Sequence, residues 1–262
     1  MKKQLNTFLL SLLTPGLGYL SIGNQKNFYK TILLFFAVLI FGAVFRLSTS
    51  FWGLAAVVFV LTLIYVFTAI HATVKAKATN TQTKSTWILK AGFTVGFLLI
   101  TGLSFANRRT TIGFDIMSMD VSVMHPTILQ GDRFLVNTWI RNNQLKRGAI
   151  IVHSFNGQKG LYVNRIIAIE GDLIKIKESQ VFINEQIVDE SYVENVNATK
   201  PESRTIKTLV IPKGHYFVMG DNRDESFGDS RFSGVITIKN IIGKVTDIVS
   251  SKDKTRIGKT VK

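Results

Sequence analysis

Residues 220–231 read GDNRDESFGDSR, a charged segment between the apolar runs HYFVMG at 215–220 and VITI at 235–238. Taken alone, such a segment is typical of a solvated turn, because its acids, arginines, glycines and asparagine favour water and tight backbone bends. The Gly-Asp pair that opens it also occurs at 131–132 and at 171–172, again beside short apolar runs. The pattern predicts an all-β domain in which such turns separate short strands.

The predicted strands fall within residues 107–262, where the apolar runs are short and rich in β-branched and aromatic residues. We expect them at 134–137, 149–153, 161–169, 173–178, 181–188, 208–212, 215–220, 235–238 and 241–249. No amphipathic helix is predicted in this part of the chain.

Residues 1–106 are more apolar and predict a membrane domain. A helix needs about 20 mostly apolar residues to cross about 30 Å of hydrocarbon. Three stretches meet or approach this length, at 30–46, 51–72 and 87–106. The stretch at 5–22 is interrupted near its centre by a proline and two glycines, which predicts a re-entrant hairpin. The expected fold class is therefore an α-helical membrane part followed by a mostly β domain.

The formal net charge is +15, and the position of the lysines indicates membrane flanks rather than a nucleic-acid surface. The gap at 73–86 holds three lysines and no acid. The positive-inside rule places this gap and the gap at 23–30 in the cytoplasm. The sequence thus predicts a multi-pass protein of the cell (inner) membrane, with residues 107–262 on the periplasmic side. The lipid bilayer is an expected partner, and nucleic acid is not.

Cysteine is absent from the sequence, which excludes disulfides, thiolate metal sites and cysteine nucleophiles. No second histidine or carboxylate lies at ligand spacing from His153 or His215, so neither a metal nor another cofactor is expected. Each of these histidines lies at one end of a predicted strand, where a structural role is common.

Three segments carry a resemblance to a known family: VMHPTILQGD at 123–132, YVNRIIAIEGD at 162–172 and GDNRDESFGDSR at 220–231. In order and approximate spacing they resemble the sequence boxes of bacterial type I signal peptidases, and KRGAIIVH at 146–153 resembles a further box. The resemblance covers essentially all of 107–262 and is specific, because chance rarely produces these boxes in one chain. It implies a membrane-bound, mostly β serine peptidase, a hydrolase of protein export that removes signal peptides outside the membrane.

Members of the family that the chain resembles cleave with a serine nucleophile and a lysine base. The serine opens the pattern Ser-Met-x-Pro-Thr, and the lysine lies in the pattern Tyr-x-Lys-Arg. The matching positions hold Val123 and Asn164. A valine side chain cannot attack a carbonyl, and an amide has no basic lone pair at physiological pH. The serine that helps to bind the oxyanion in the family corresponds to Val121. We therefore predict a pseudoenzyme that binds signal peptides or extended segments of exported proteins by strand addition.

Other positions match family residues that hold the shape of the site. The resemblance implies such bracing roles for Arg165, Asp221, Asn222, Arg223, Ser226, Asp229 and Arg231. The candidates for the substrate groove are Val121, Met124, Pro126 and Tyr162. The boxes also differ from the family at Ala168 and Glu170, and Gly228 is an extra residue before Asp229.

Two alternative functions stay open at this level. In the first, Ser122 is a displaced nucleophile of an active signal peptidase I, with His125 or Lys159 as a candidate base. On a strand, however, Ser122 would point away from the face that Val123 occupies. In the second, the chain is a structural partner of an export or signal-peptidase complex, bound to a true signal peptidase or to the translocation machinery.

Overall fold

The computed structural model describes residues 2–78, 87–140, 142–155, 160–193 and 205–262. They form two compact units, one ending at Gly113 and one spanning Phe114–Lys262. The helices of the first unit are α1 (Lys2–Leu13), α2 (Leu17–Ser21), α3 (Gln25–Val44), α4 (Phe51–Ala78), α5 (Trp87–Ala106) and the single-turn α6 (Arg108–Thr111).

Three of these helices, α3, α4 and α5, are long and apolar enough to cross a membrane. They confirm the prediction of apolar, membrane-type helices in the N-terminal part. The 28 residues of α4 rise about 42 Å, more than the roughly 30 Å of a hydrocarbon core. As a result α4 extends through the first part of the predicted linker at 73–86, and 79–86 lie outside the described residues.

The chain turns back at the break predicted within 5–22. Gly16 has a φ of 81°, in the left-handed region that favours glycine. Beyond it, Ser21 Oγ lies 3.3 Å from Thr7 Oγ1, and Gly18 packs so closely against Ser11 that a Cβ would collide with it. Helices α1 and α2 therefore form a tight helical hairpin, and its insertion into the bilayer stays a prediction.

The second unit is mostly β, as the sequence predicts. Its strands are β1 (Phe114–Ser118), β2 (Arg133–Asn137), β3 (Ile150–His153), β4 (Tyr162–Ile169), β5 (Leu173–Lys177), β6 (Gln180–Ile183), β7 (Gln186–Ile187), β8 (Ile206–Val210), β9 (His215–Met219), β10 (Ile236–Thr237) and β11 (Ile241–Ser250). They pair antiparallel in a seven-stranded sheet of order β1-β2-β11-β3-β4-β9-β10 and a four-stranded sheet of order β7-β6-β5-β8. A single-turn helix, α7 (Ser230–Ser233), ends the charged segment at 220–231, where only a turn was predicted.

Two strand predictions need correction. The first strand, β1, was not predicted, because Asp115 interrupts its apolar pattern; the structure nevertheless buries this carboxylate, which accepts a hydrogen bond from the Ile116 amide. The predicted single strand at 181–188 is the hairpin β6–β7. Asn184 and Glu185 adopt φ values of 51° and 68° between the two strands, as a two-residue hairpin turn requires.

Strand β4 runs through the middle of the larger sheet, between β3 and β9. The residues at 164–168 are all buried, so both faces of β4 are covered. One apolar cluster beside it contains Met124, Ile128, Phe134 and Val152. Because β9 leads directly into the segment at 220–231, this arrangement places the polar residues of β4 next to that segment.

Candidate functional site

A cleft of about 390 Å³ lies where the segment after β1, the start of β4 and the segment before α7 meet. This volume is within the range typical of ligand pockets. Val123, Asn164 and Ser226 all line it, together with Val121 and Tyr162. The structure thus brings together the two dyad positions and Ser226, one of the residues expected to brace the site.

The charged residues among the described lining of the cleft are Asp120 and Glu225. No lysine, arginine or histidine belongs to that described lining. A serine hydroxyl needs a neighbouring base before it can attack a carbonyl. The cleft therefore offers polar and apolar contacts, but its described wall holds no basic side chain for proton abstraction.

The segment that carries Val123 is a series of turns rather than a strand. Strand β1 ends at Ser118, and the His125 amide donates to the Ser122 carbonyl across 3.0 Å. Ser122 is therefore not on a strand. The alternation of side chains that was used to predict its direction applies only to extended backbone. In the structure Val123 lines the cleft, and Ser122 is not among its described lining residues.

The backbone of Val123 is held by the segment at 220–231. Its carbonyl accepts a hydrogen bond of 3.0 Å from the Asn222 amide. A Cβ on Gly220 would lie 2.7 Å from the same carbonyl and would overlap Ser226, so only glycine permits this approach. The valine side chain packs on the cluster that contains Phe134. The position of the family's nucleophile is thus fixed by backbone contacts that do not depend on its side chain.

Asn164 sits in the floor of the cleft and is 1% exposed. Its Oδ1 accepts a hydrogen bond from His153 Nε2 across 2.8 Å, and its Nδ2 donates to Ser226 Oγ across 3.4 Å. The Ser226 hydroxyl in turn donates to Asp229 Oδ2 across 2.8 Å. A neutral amide therefore connects the histidine to the serine at the position where the family has its lysine.

His153 forms a second layer behind Asn164 and is fully buried. Burial lowers the pKa of its imidazole, and the hydrogen bond to Asn164 opposes that shift in part. The ring lies against Phe155 and Tyr162, with centroids 4.8 and 5.9 Å away. Burial therefore favours the neutral imidazole of His153. Sequence reasoning assigned it only a strand-end role and missed its contact with the dyad position.

A buried ion pair connects β4 to the start of the charged segment. Arg165 Nε and Nη2 donate to the two carboxylate oxygens of Asp221 across 2.8 and 2.6 Å. Thr127 Oγ1 donates to the same carboxylate across 2.5 Å. Both charged side chains are almost completely buried, and the guanidinium lies 4.0 Å over the ring of Tyr192. This contact set holds the segment that follows Val123 against β4.

A second buried network fixes the loop that carries Ser226. Arg231 Nη2 donates to Asp229 Oδ2 across 2.8 Å and to the carbonyl of Arg223 across 2.8 Å. It also donates to the carbonyl of Ser226 across 3.1 Å. Arg223 pairs in turn with Glu190, and both are largely buried. The bracing roles proposed from sequence thus coincide with dense, buried, charge-assisted contacts.

Sequence reasoning missed three members of these networks: Thr127, Glu190 and Tyr192. Burial raises the pKa of the Tyr192 phenol, whose hydroxyl donates to Glu190 across 2.8 Å. Glu190 and Tyr192 lie in the stretch VFINEQIVDESY at 181–192, where the sequence predicted a strand over 181–188 but no site residue. Their contacts join β4 to segments distant in the chain, and a linear pattern does not encode such pairings.

Other predicted site residues lie elsewhere. Met124 is fully buried in the apolar core because its side chain packs with the cluster beneath the turns. Pro126 is exposed and is not among the lining residues of the cleft. The extra residue Gly228 packs against the ring of Tyr162, where a Cβ would collide. Lys159, the candidate replacement base, lies outside the described residues.

The family of this chain follows from its similarity to known proteins. Residues 86–249 match the family model described as signal peptidase, peptidase S26. The chain belongs to the signal peptidase family. This confirms the resemblance drawn from the three boxes, and with it a serine peptidase family whose members are anchored in membranes.

Bacterial signal peptidases are among its relatives. The chain is 35% identical to signal peptidase I V of Bacillus subtilis (strain 168) over 134 residues, 47% of this chain and 79% of the relative. It is 32% identical to signal peptidase IB of Staphylococcus aureus (strain COL) over 175 residues, 61% of this chain and 86% of the relative. A crystal structure of a signal peptidase I from Enterococcus faecalis V583 is 26% identical, with a TM-score of 0.35, over 38% of this chain and 96% of that chain.

Proposed function

We propose that this member of the signal peptidase family binds signal peptides or extended segments of exported proteins in its cleft and does not cleave them. One observation carries the proposal. Val123 and Asn164 occupy the two positions of the family's dyad, inside a cleft whose surrounding charge networks are complete and buried. The arrangement supports a binding site that has the family's shape and lacks its reactive groups.

The two serines of the described cleft lining, Ser118 and Ser226, are poorly suited to replace the nucleophile. Ser226 is 2% exposed and donates its proton to Asp229, whose carboxylate is already paired with Arg231. Ser118 is exposed, and no basic side chain occurs among the described lining residues. Acyl transfer requires both an activated nucleophile and a base in contact with it. The geometry therefore favours binding over hydrolysis.

The edge of the larger sheet supports binding of an extended segment. Strand β1 is the first strand of that sheet and leads into the cleft. An edge strand offers backbone donors and acceptors for one more strand, and side-chain contacts select the ligand. Val121, Leu161 and Phe227 are each more than half exposed around the cleft. These apolar side chains suit the small and apolar residues of an exported segment.

A charge placed in the cleft is expected to weaken this binding. Val121→Arg puts a cation where an apolar side chain contacts the ligand, so we expect binding of a fluorescent signal peptide to weaken about tenfold, which corresponds to about 1.4 kcal/mol. The measurement is fluorescence anisotropy with the full chain in detergent. Val210→Arg is the matched control, because Val210 is 60% exposed on β8 in the other sheet. Equal binding by both variants and the parent would contradict the proposal.

We also infer that residues 107–262 lie on the periplasmic side of a multi-pass protein. The support is the lysine-rich stretch at 73–86, which begins within the last turns of α4, and the three helices of spanning length. An alkaline phosphatase fused after residue 262 is expected to be active, because this enzyme folds only outside the cytoplasm. Inactive fusions that are expressed at normal levels would reverse the orientation.

A further inference from the structure

The first unit contains a groove of about 750 Å³ along the facing surfaces of α3 and α4. The two helices are joined by the short segment at 45–50 and run antiparallel, so the start of α3 faces the end of α4. The polar lining residues Asn27, Lys30, Thr31, Thr68 and His71 fall at that end. The apolar lining residues Leu34, Val60, Leu63, Val66 and Phe67 lie toward the middle of the helices.

The polar end is organised by a fixed side-chain contact. The hydroxyl of Tyr19, which is 2% exposed, lies 2.5 Å from Nδ1 of His71. The His71 ring also stacks on Phe67, with centroids 5.6 Å apart. Polar and ionisable side chains inside a membrane segment are costly, and they commonly mark functional sites. Here the two side chains satisfy each other, so the pair fixes the shape of the polar end of the groove.

The charge at one end of the groove and the length of the groove indicate which class of ligand it fits. Lys30 is exposed and is the one fully charged side chain of the groove lining within the described residues, which contains no acid. From Val60 to His71 the α4 backbone rises about 16 Å, close to half of a hydrocarbon core of about 30 Å. The groove thus has the depth of one leaflet, an apolar wall and a cation at the end nearest the head groups.

We propose that this groove binds one anionic phospholipid. Its acyl chain lies along Leu34, Leu63 and Phe67, and its phosphate lies at Lys30, whose long side chain reaches the head-group level. The inference rests on the insertion of α3 and α4 in a bilayer and is independent of ligand binding in the cleft of the second unit. It goes beyond the family, because the groove lies outside the matched residues 86–249.

The test measures retention of phosphatidylglycerol by the purified full chain in native mass spectrometry, with phosphatidylcholine and inorganic phosphate as separate arms. The parent is expected to retain phosphatidylglycerol and neither of the other two. Lys30→Gln is expected to weaken retention about fivefold, the usual effect of one lysine at a charged lipid surface. Lys30→Arg is expected to restore it, since a phosphate accepts hydrogen bonds from either cation.

Lys26→Gln is the matched control, because Lys26 is an exposed lysine one turn earlier on α3 and does not line the groove. It is expected to retain phosphatidylglycerol like the parent. The proposal is overturned if both glutamine variants lose the lipid equally, which indicates a diffuse surface charge effect. It is also overturned if phosphatidylcholine binds as well as phosphatidylglycerol, or if a copurified protein helix occupies the groove instead.

Discussion

Replacing Val123 by serine and Asn164 by lysine together is expected to produce cleavage of a preprotein at its signal-peptide boundary. Each single replacement is expected to stay at background, because the nucleophile and its base act as one unit. The loss of such a nucleophile typically lowers turnover about a millionfold, so restoration should be readily detected. The variants are incubated with preprotein in detergent, and the shortened product is measured on a gel.

The structure explains why both replacements are needed. The Val123 backbone is already held by the Asn222 amide, so a serine there would project from a fixed point into the cleft. A lysine at position 164 would enter a site that is 1% exposed, and burial lowers the pKa of an ammonium group toward neutrality. Ser226 Oγ, now 3.4 Å from Asn164 Nδ2, would then accept a hydrogen bond from that lysine.

The stronger version of this test adds Val121→Ser, which supplies an oxyanion donor worth about 3 kcal/mol in related sites. We expect the triple variant to cleave faster than the double variant. If the triple variant folds with the β-sheet content of the parent and cuts nothing, the cleft has changed shape along with the dyad. The proposed peptide-binding groove would then lose its main support.

Breaking the buried ion pair is expected to have the largest effect on stability. Arg165→Met leaves the Asp221 carboxylate buried and without its partner, and such losses typically cost about 3–5 kcal/mol of unfolding free energy. The measurement is urea denaturation of the full chain in detergent. Unfolding is monitored by the fluorescence of Trp139, in a background where Trp52 and Trp87 are replaced by phenylalanine.

Arg147→Met is the matched control for this experiment. Arg147 pairs with Asp172, which is buried but also accepts a hydrogen bond from the Ile169 amide, and the Arg147 side chain itself is 46% exposed. Water replaces much of that interaction, so we expect a loss of about 1 kcal/mol or less. Equal losses of unfolding free energy in the two variants would contradict this prediction, because the buried Arg165 pair would then contribute no more than the partly exposed Arg147 pair.

The sequence predicted the parts of this protein that local patterns encode. Apolar length predicted α3, α4 and α5, and alternation between Gly-Asp turns predicted most of the strands. The box spacing placed Val123 and Asn164 at one site, and the structure has both in one cleft. These features are recoverable because each depends on neighbours within one segment or on a family pattern.

Features that depend on non-local packing were missed. The turns around Ser122 follow from contacts with the segment at 220–231, which a strand-period argument does not include. His153 reaches Asn164 only because β3 and β4 pair side by side. Strand β1 contains a buried aspartate, and its pairing with β2 holds it in the sheet despite the polar residue. In each case the decisive contacts involve residues outside the segment from which the prediction was made.

The central claim is that the cleft binds an exported segment and leaves it intact. Its most direct test is to incubate the purified, unmodified full chain with a preprotein in detergent, beside a bacterial signal peptidase I as positive control, and to follow both binding and product length. We predict that the parent binds the preprotein and yields no shortened product. A shortened product from the parent that disappears in Ser122→Ala would contradict the claim and establish Ser122 as a nucleophile.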